Sequence, residues 1–398
     1  MMKTANEVEI YDSWGSFEGI PDGEAPASAA ALPKHSFGHR GLEWIGLRVP
    51  GFALAAGLAV AADAAAAWIG HDLLGYEVSP LSGVPIAILM GIILCNSLGV
   101  PTVFHAGLRA CTQQLQRLAI MLLGFRLSMG MVGSIGLGAL PIVIISIAAA
   151  LIFVPWLGTK VGLSRRLASL IAVGTSICGV SAIMAVAPTI KAEDEEISYA
   201  IACVAIFGML AMLVYPYVTP ALFGSDRGGI GIFFGTAIHD TAQVTGAALV
   251  FEQLHEAPEV LNIATVVKIM RNLSMIAVIP IMAAMFHRAD REGNAPATRA
   301  KLGQVVPLFV IGFLVMTIVR TVGDMSLRPF GLLESLQWHQ FLAKIDWAST
   351  WFLTVVMAAV GLGTGLARLR RLGLRPFFVG LSAALLVGAV SYGLIKLF

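Results

Sequence analysis

The sequence predicts an all-α polytopic membrane protein with a repeated core, and three observations carry that reading. Hydrophobic residues make up 57% of the 398-residue chain and charged residues only 13%, with a mean hydropathy of +0.83, far from the balance of a soluble domain. Apolar runs long enough to span a bilayer recur along the chain. Two of these runs are punctuated by polar residues and stand at matching places in two similar units, the pattern of a secondary transporter whose broken helices build its binding site.

The first 40 residues are polar and acidic at the start, with no basic segment leading into an apolar core, so they read as a cytoplasmic tail and not as a cleavable signal peptide. Residues 41–398 read as the transmembrane domain. Apolar runs at Leu47–Gly70, Val84–Leu98, Leu118–Val132, Gly136–Leu157, Ser198–Tyr217, Leu261–Phe286, Val305–Val322, Trp347–Leu366 and Phe377–Leu397 predict about nine full transmembrane helices. The punctuated runs Leu167–Ile190 and Gly229–Val250 bring the expected total to about eleven membrane segments.

Charge in the loops predicts orientation. Arg40 and Arg48, Arg109 and Arg117, Lys160 with Arg165 and Arg166, Arg288 with Arg291, Arg299 and Lys301, and Arg368 with Arg370, Arg371 and Arg375 flank spans on one side. The loops at His71–Pro80, Gly130–Ser134 and Phe251–Glu259 carry neither Lys nor Arg. The positive-inside rule then puts the N-terminus in the cytoplasm and the C-terminus in the periplasm of an inner membrane.

The repeat units lie near 167–217 and 229–286. Each starts with a Gly-Thr run, Gly174-Thr175-Ser176-Ile177 or Gly235-Thr236-Ala237-Ile238, passes an acidic loop, and continues into a longer apolar run with a proline, Pro216 or Pro280. If both punctuated runs cross fully, the units are parallel repeats; if both are re-entrant, they are inverted repeats, which is the commoner transporter design and the reading favoured here.

Candidate site residues are those whose polarity is expensive at membrane depth. Lys268 and Arg271 stand i, i+3 within an apolar run, and Asn272 extends their helical face. Such a face suits an oxyanion, with the guanidinium as a planar fork and the ammonium as a point charge; the bland alternative is a buried ion pair with Asp240 or another carboxylate. His239 and Asp240 follow the second Gly-Thr run, where His239 is suited to carry a coupling proton and Asp240 to act as its partner or as a counter-ion. Thr236 and Gln243 read as ligand donors. In the first unit Thr175, Ser176, Cys178, Gly179 and Ser181 offer hydroxyls and close backbone approach, although small residues also serve ordinary helix packing. If the helices break near Gly179 and His239–Gln243, half-helix N-termini would face an anion there. Arg126 either tunes the charge of this site or snorkels to the outer surface.

Other classes have less to stand on. The cysteines Cys95, Cys111, Cys178 and Cys203 form no CxxC pair, which argues against a disulfide framework or a metal site. Phosphate-loop, dinucleotide, zinc-protease and nucleophile-elbow motifs are missing, so neither an enzyme nor a cofactor is expected. Basic residues are spread among loops and not gathered into a nucleic-acid patch.

The runs Leu122-Leu123-Gly124-Phe125-Arg126-Leu127, Gly174-Thr175-Ser176-Ile177-Cys178-Gly179-Val180-Ser181-Ala182-Ile183 and His239-Asp240-Thr241-Ala242-Gln243-Val244, with Ala187-Pro188-Thr189-Ile190-Lys191-Ala192, resemble the YeiH-type family of bacterial inner-membrane proteins, also described as sulfate exporters. The resemblance extends from the second span through the last loops. It implies an inner-membrane transporter that exports sulfate or a related sulfur oxyanion. This chain has Asp240 where the family pattern has Glu, which shortens the carboxylate's reach by one methylene.

The expected function is export of a small inorganic oxyanion by alternating access, with proton coupling through His239 and Asp240 as an option and the bilayer as the surroundings. Two other readings stay open: a proton- or sodium-coupled cation antiporter with Asp240 as ion ligand, and a non-transporting membrane sensor. A homodimer with a fixed scaffold fits the alanine- and glycine-rich spans.

Overall fold

The computed structural model describes residues 46–69, 72, 83–289, 308–325, 334–365 and 373–398. The tail at 1–40, most of the loop at His71–Pro80, and Arg291, Arg299, Lys301, Arg368, Arg370 and Arg371 lie outside the described residues. Every regular element among the described residues is helical.

The chain starts with α1 (Val49–Trp68) and α2 (Gly83–Ser97). Next, α3 (Thr102–Ala110) runs through a π-helical turn at Cys111–Leu115 into α4 (Gln116–Leu123), which closes with a 3-10 turn at Gly124–Arg126. The long α5 (Met129–Lys160) follows, started by the Ser128 hydroxyl, which accepts from Met131 N. The first punctuated run becomes α6 (Arg165–Ser176) and α7 (Val180–Val186), and α8 (Asp194–Phe223) comes after it. The second becomes α9 (Arg227–Ala237) and α10 (Thr241–His255), followed by α11 (Pro258–Leu273) and α12 (Met275–Ala289). Last come α13 (Leu308–Asp324), α14 (Ser335–Gly363) and α15 (Leu374–Leu397).

The expected count of about nine full spans is too high by length and composition. Among the described residues six helical stretches are long and apolar enough to cross a membrane: Val49–Trp68, Met129–Lys160, Glu195–Phe223, Pro258–Phe286, Ser335–Gly363 and Leu374–Leu397. The physical reasons are local. Gly83–Ser97 is apolar but short. The run read as one span over Leu118–Val132 is split, because Leu127 is extended at φ −121° and ψ 144° and Val132 already belongs to α5. The run at Val305–Val322 is represented among the described residues by α13, Leu308–Asp324, which has 17 residues.

Both punctuated runs are helical hairpins that return to the end of the bundle from which they start. At the start of α6, the Ser164 hydroxyl donates to the Glu196 carboxylate at the start of α8, and the Arg165 guanidinium stacks 5.0 Å from the Phe286 ring near the end of α12. Glu196 also accepts from Glu193 N at 2.9 Å, closing the capping box of α8. At the start of α9, Arg227 bonds to Glu259 at 2.9 Å and to the His255 carbonyl at 3.5 Å. A straight helix of the 29 residues from Arg227 to His255 would separate its ends by about 40 Å, so the run must fold back.

Because α8 runs between the two hairpins, they enter from opposite ends. Lys160, Arg165, Lys191 and Arg375 gather at the end where α6 starts, with Gly162 against the Arg375 side chain. Arg126, Arg227 and Lys396 gather at the other end, where the Lys396 ammonium lies 5.2 Å from the Phe223 ring and Met129 N donates to Thr321 Oγ1 at 2.9 Å. Each hairpin, with the helix that follows it, therefore runs through the bundle in the direction opposite to the other. One apolar cluster, including Ile171, Val173, Ile183 and Val204, holds the first hairpin against α5, α8 and α15. A second, including Ala55, Ala59, Leu108 and Ala358, joins α1, α2, α3 and α14 into a scaffold. The largest cluster runs between the two, from Ile88, Ile120 and Met357 to Phe234, Val244 and Leu261.

Candidate functional site

A helix end leaves up to four carbonyls without partners, and at membrane depth no water is at hand to satisfy them. Two such ends meet inside this bundle, at the C-termini of α6 and α9. The breaks lie at Ile177–Gly179 and Ile238–Asp240, which matches the polar punctuation of the sequence. Gly179 adopts φ +72° and ψ −128°, so the first tip requires glycine for its conformation, and a Cβ there would stand a tight 3.3 Å from Asp240 Oδ2.

Lys268 and Arg271 supply the missing donors. The Lys268 ammonium donates to Ile177 O at 2.8 Å, to Ile238 O at 3.2 Å and to His239 O. Arg271 donates through Nε to Ser176 O at 3.0 Å and through Nη2 to Thr175 O at 2.7 Å. Its Nη1 faces Thr236 O at 2.6 Å, Ile238 O at 2.9 Å and Gly235 O at 3.0 Å. Both side chains are fully buried, at 0% and 1% exposure. Their placement on one face of α11 was legible in the sequence; the direction of their donors was not. The expectation that they ligate an anion directly does not fit this geometry, because their donors are directed to main-chain carbonyls of both tips.

The other candidates divide. Thr236 and Ser176 return their hydroxyls to their own helices, at Ile232 O (2.7 Å) and Val173 O (3.3 Å). Cys178 is buried with its sulfur 3.4 Å from that of Met275, and Ser181 is half-buried on the first turn of α7. Asp240 caps α10, accepting from Ala242 N at 2.8 Å, while Asp240 N donates to Gln243 Oε1 at 3.2 Å. Gln243 also donates to Ala205 O on α8 at 3.3 Å, an approach that needs Gly208, since a Cβ there would overlap the Gln243 amide.

Two groups at the tips keep buried polar atoms with no hydrogen-bond partner of normal geometry: both ring nitrogens of His239 and the Oδ1 of Asn272. Asn272 donates to Thr241 Oγ1 at 3.4 Å. Buried polar atoms left open are uncommon and characteristic of functional sites. Together with Asp240, these residues lie where the tips meet α11.

Arg126 is not part of this cluster. It pairs with Glu252 at 2.9 Å and with Asp346, near the end of the bundle at which the second hairpin enters. Sequence reasoning also missed Gln116. In the amide orientation that satisfies both of its groups, Gln116 accepts from Ala242 N at 3.1 Å and donates to Thr112 O at 2.6 Å, so α4 touches the second tip. The signal available was the polar run Thr112-Gln113-Gln114 in an apolar region, which forms the π-helical turn preceding Gln116.

The family described as conserved hypothetical protein 698 matches residues 50–380. A UPF0324 membrane protein of Fusobacterium nucleatum subsp. nucleatum is 31% identical over 322 residues, covering 80% of this chain and 92% of its own length. A UPF0324 membrane protein of Streptococcus agalactiae serotype V is 33% identical, with 78% and 89% covered. One of Nitratidesulfovibrio vulgaris is also 33% identical, with 79% and 83% covered. No solved structure matches the chain.

Proposed function

Since the chain belongs to the family described as conserved hypothetical protein 698, whose curated relatives are named as membrane proteins, we propose that it is a secondary transporter that moves a small inorganic oxyanion out of the cytoplasm by alternating access. Sulfate, sulfite or a related sulfur anion is the substrate class we favour, on the motif resemblance noted in the sequence. The single observation that carries the transport reading is the meeting of two oppositely entering hairpin tips on the buried pair Lys268 and Arg271.

Charge favours an anion at that meeting point. Two half-helix C-termini and two N-termini converge there, and their partial charges, about 0.5 of an elementary charge each, offset one another. The formal charges are those of Lys268, Arg271 and Asp240, which leaves an excess of about one positive charge far from water. A bound anion offsets that excess. In this reading Lys268 and Arg271 act by their field, while His239, whose ring nitrogens are buried and unpartnered, supplies a direct N–H contact.

The same geometry disfavours the cation antiporter. Unwound carbonyls and half-helix C-termini are what a coupling Na⁺ uses in broken-helix transporters, and here Lys268 and Arg271 already engage those of both tips. The test is uptake of labelled sulfate and sulfite into inside-out proteoliposomes, with and without Na⁺. Saturable uptake indifferent to Na⁺ is expected. No flux of either anion, together with a cation-driven change of internal pH that depends on Asp240, would replace this reading with the antiporter.

A further inference from the structure

At the end of the bundle where the second hairpin enters, three charged side chains from three different elements meet. Arg126 comes from the turn after α4, Glu252 from the last turns of α10, and Asp346 from the first half of α14. Arg126 and Glu252 are largely buried, at 12% and 15% side-chain exposure, whereas Asp346 is at 45%. With Leu122, Asn262, Arg320 and Leu342, among others, they line a cavity of about 320 Å³. The Oδ1 of Asn262 is buried and unpartnered.

We propose that Arg126, Glu252 and Asp346 form the gate over the hairpin tips on this face, with Arg126 latching the returning arm of the second hairpin to the scaffold. The proposal rests on the transport reading of the tips. Its geometry is that of a seam: α10 and α11 line one wall, and α4, α13 and α14 line the other. Toward the interior the same α4 carries Gln116, which reaches Ala242 at the second tip, so a single helix runs from the latch to the site. A buried ion pair suits a latch, because removing one partner strands the other charge in a poorly solvated place. The closed arrangement is held by contacts that α10 loses as a set when it moves away from α4 and α14. Arg320 stays on the scaffold side, donating to the Phe125 carbonyl at 3.4 Å and pairing with Asp324 on its own helix.

The chain carries its own reporter for the test. Cys178 sits at the first tip, and Cys111 and Cys203 are buried elsewhere. Full-length protein in proteoliposomes is treated with a membrane-impermeant thiol reagent from each face in turn, and labelling of each cysteine is followed by mass spectrometry in R126A, E252Q and the R126E/E252R exchange. The expected result is labelling of Cys178 faster by about tenfold or more in R126A and E252Q, from the Arg126 face only, since an open state populated at about 0.1–10% has that room to grow. The exchange should bring the rate back toward that of the unaltered protein. Unchanged labelling in both single variants overturns the gate. Faster labelling of Cys111 and Cys203 alongside Cys178 also overturns it, because the triad is then a brace for the whole fold. Anion uptake is measured on the same vesicles. Face-specific labelling without uptake keeps the gate and removes the anion reading, whereas uptake with unchanged labelling does the reverse.

Discussion

At the residue scale, the chemistry turns on Lys268 and Arg271. Between them they reach seven main-chain carbonyls, and hydrogen bonds from a charged donor contribute about 1.5–3 kcal/mol each. Arg271→Ala should therefore fail to give folded protein, as read by yield and size-exclusion profile after extraction. Arg271→Lys should fold with a lower thermal midpoint, because one ammonium cannot span Thr175, Ser176 and Gly235 together. Asp240→Asn separates the two transport readings. Asn caps a helix as well as Asp does, so the fold should persist, and removing the negative charge should leave anion binding intact or tighter. The antiporter reading predicts loss of cation exchange instead, and parallel anion-flux and internal-pH assays decide between them.

At the scale of elements, the hairpin tips were legible from local residues, whereas their return was favoured only by analogy with inverted-repeat transporters. Glycine, small hydroxylated residues and the His239-Asp240 pair mark the two breaks, since such residues at spanning depth signal backbone that is not helical. The return of each hairpin rests on contacts distant in sequence, Ser164 with Glu196 and Arg227 with Glu259, for which no local pattern gives a signal. Arg126 shows the same limit: its charge was visible in the sequence, but its partners lie 126 and 220 residues away. The first tip also makes a sharp prediction. Gly179→Ala places a side chain at φ +72° against the Asp240 carboxylate, which should cost about 1–3 kcal/mol and appear as a lower thermal midpoint with slower anion uptake.

At the scale of the whole molecule, two hairpins that enter from opposite ends bring their tips to one buried centre. The end that gathers Lys160, Arg165, Arg166, Lys191 and Arg375 should face the cytoplasm, and a reporter fused after Phe398 should then be active in the periplasm. The central claim is that the tips hold an anion through the positive charge of α11, and the most direct test is calorimetric titration of sulfite and sulfate onto purified protein, comparing the unaltered chain with Lys268→Gln and Lys268→Arg. Glutamine keeps donors for the carbonyls and removes the charge. At an effective dielectric of about 20 and a separation of about 6 Å, a unit charge is worth roughly 3 kcal/mol, so binding should weaken about a hundredfold in Lys268→Gln and persist in Lys268→Arg. Equal affinity in all three proteins, or no binding of either anion to the unaltered chain, would contradict the account.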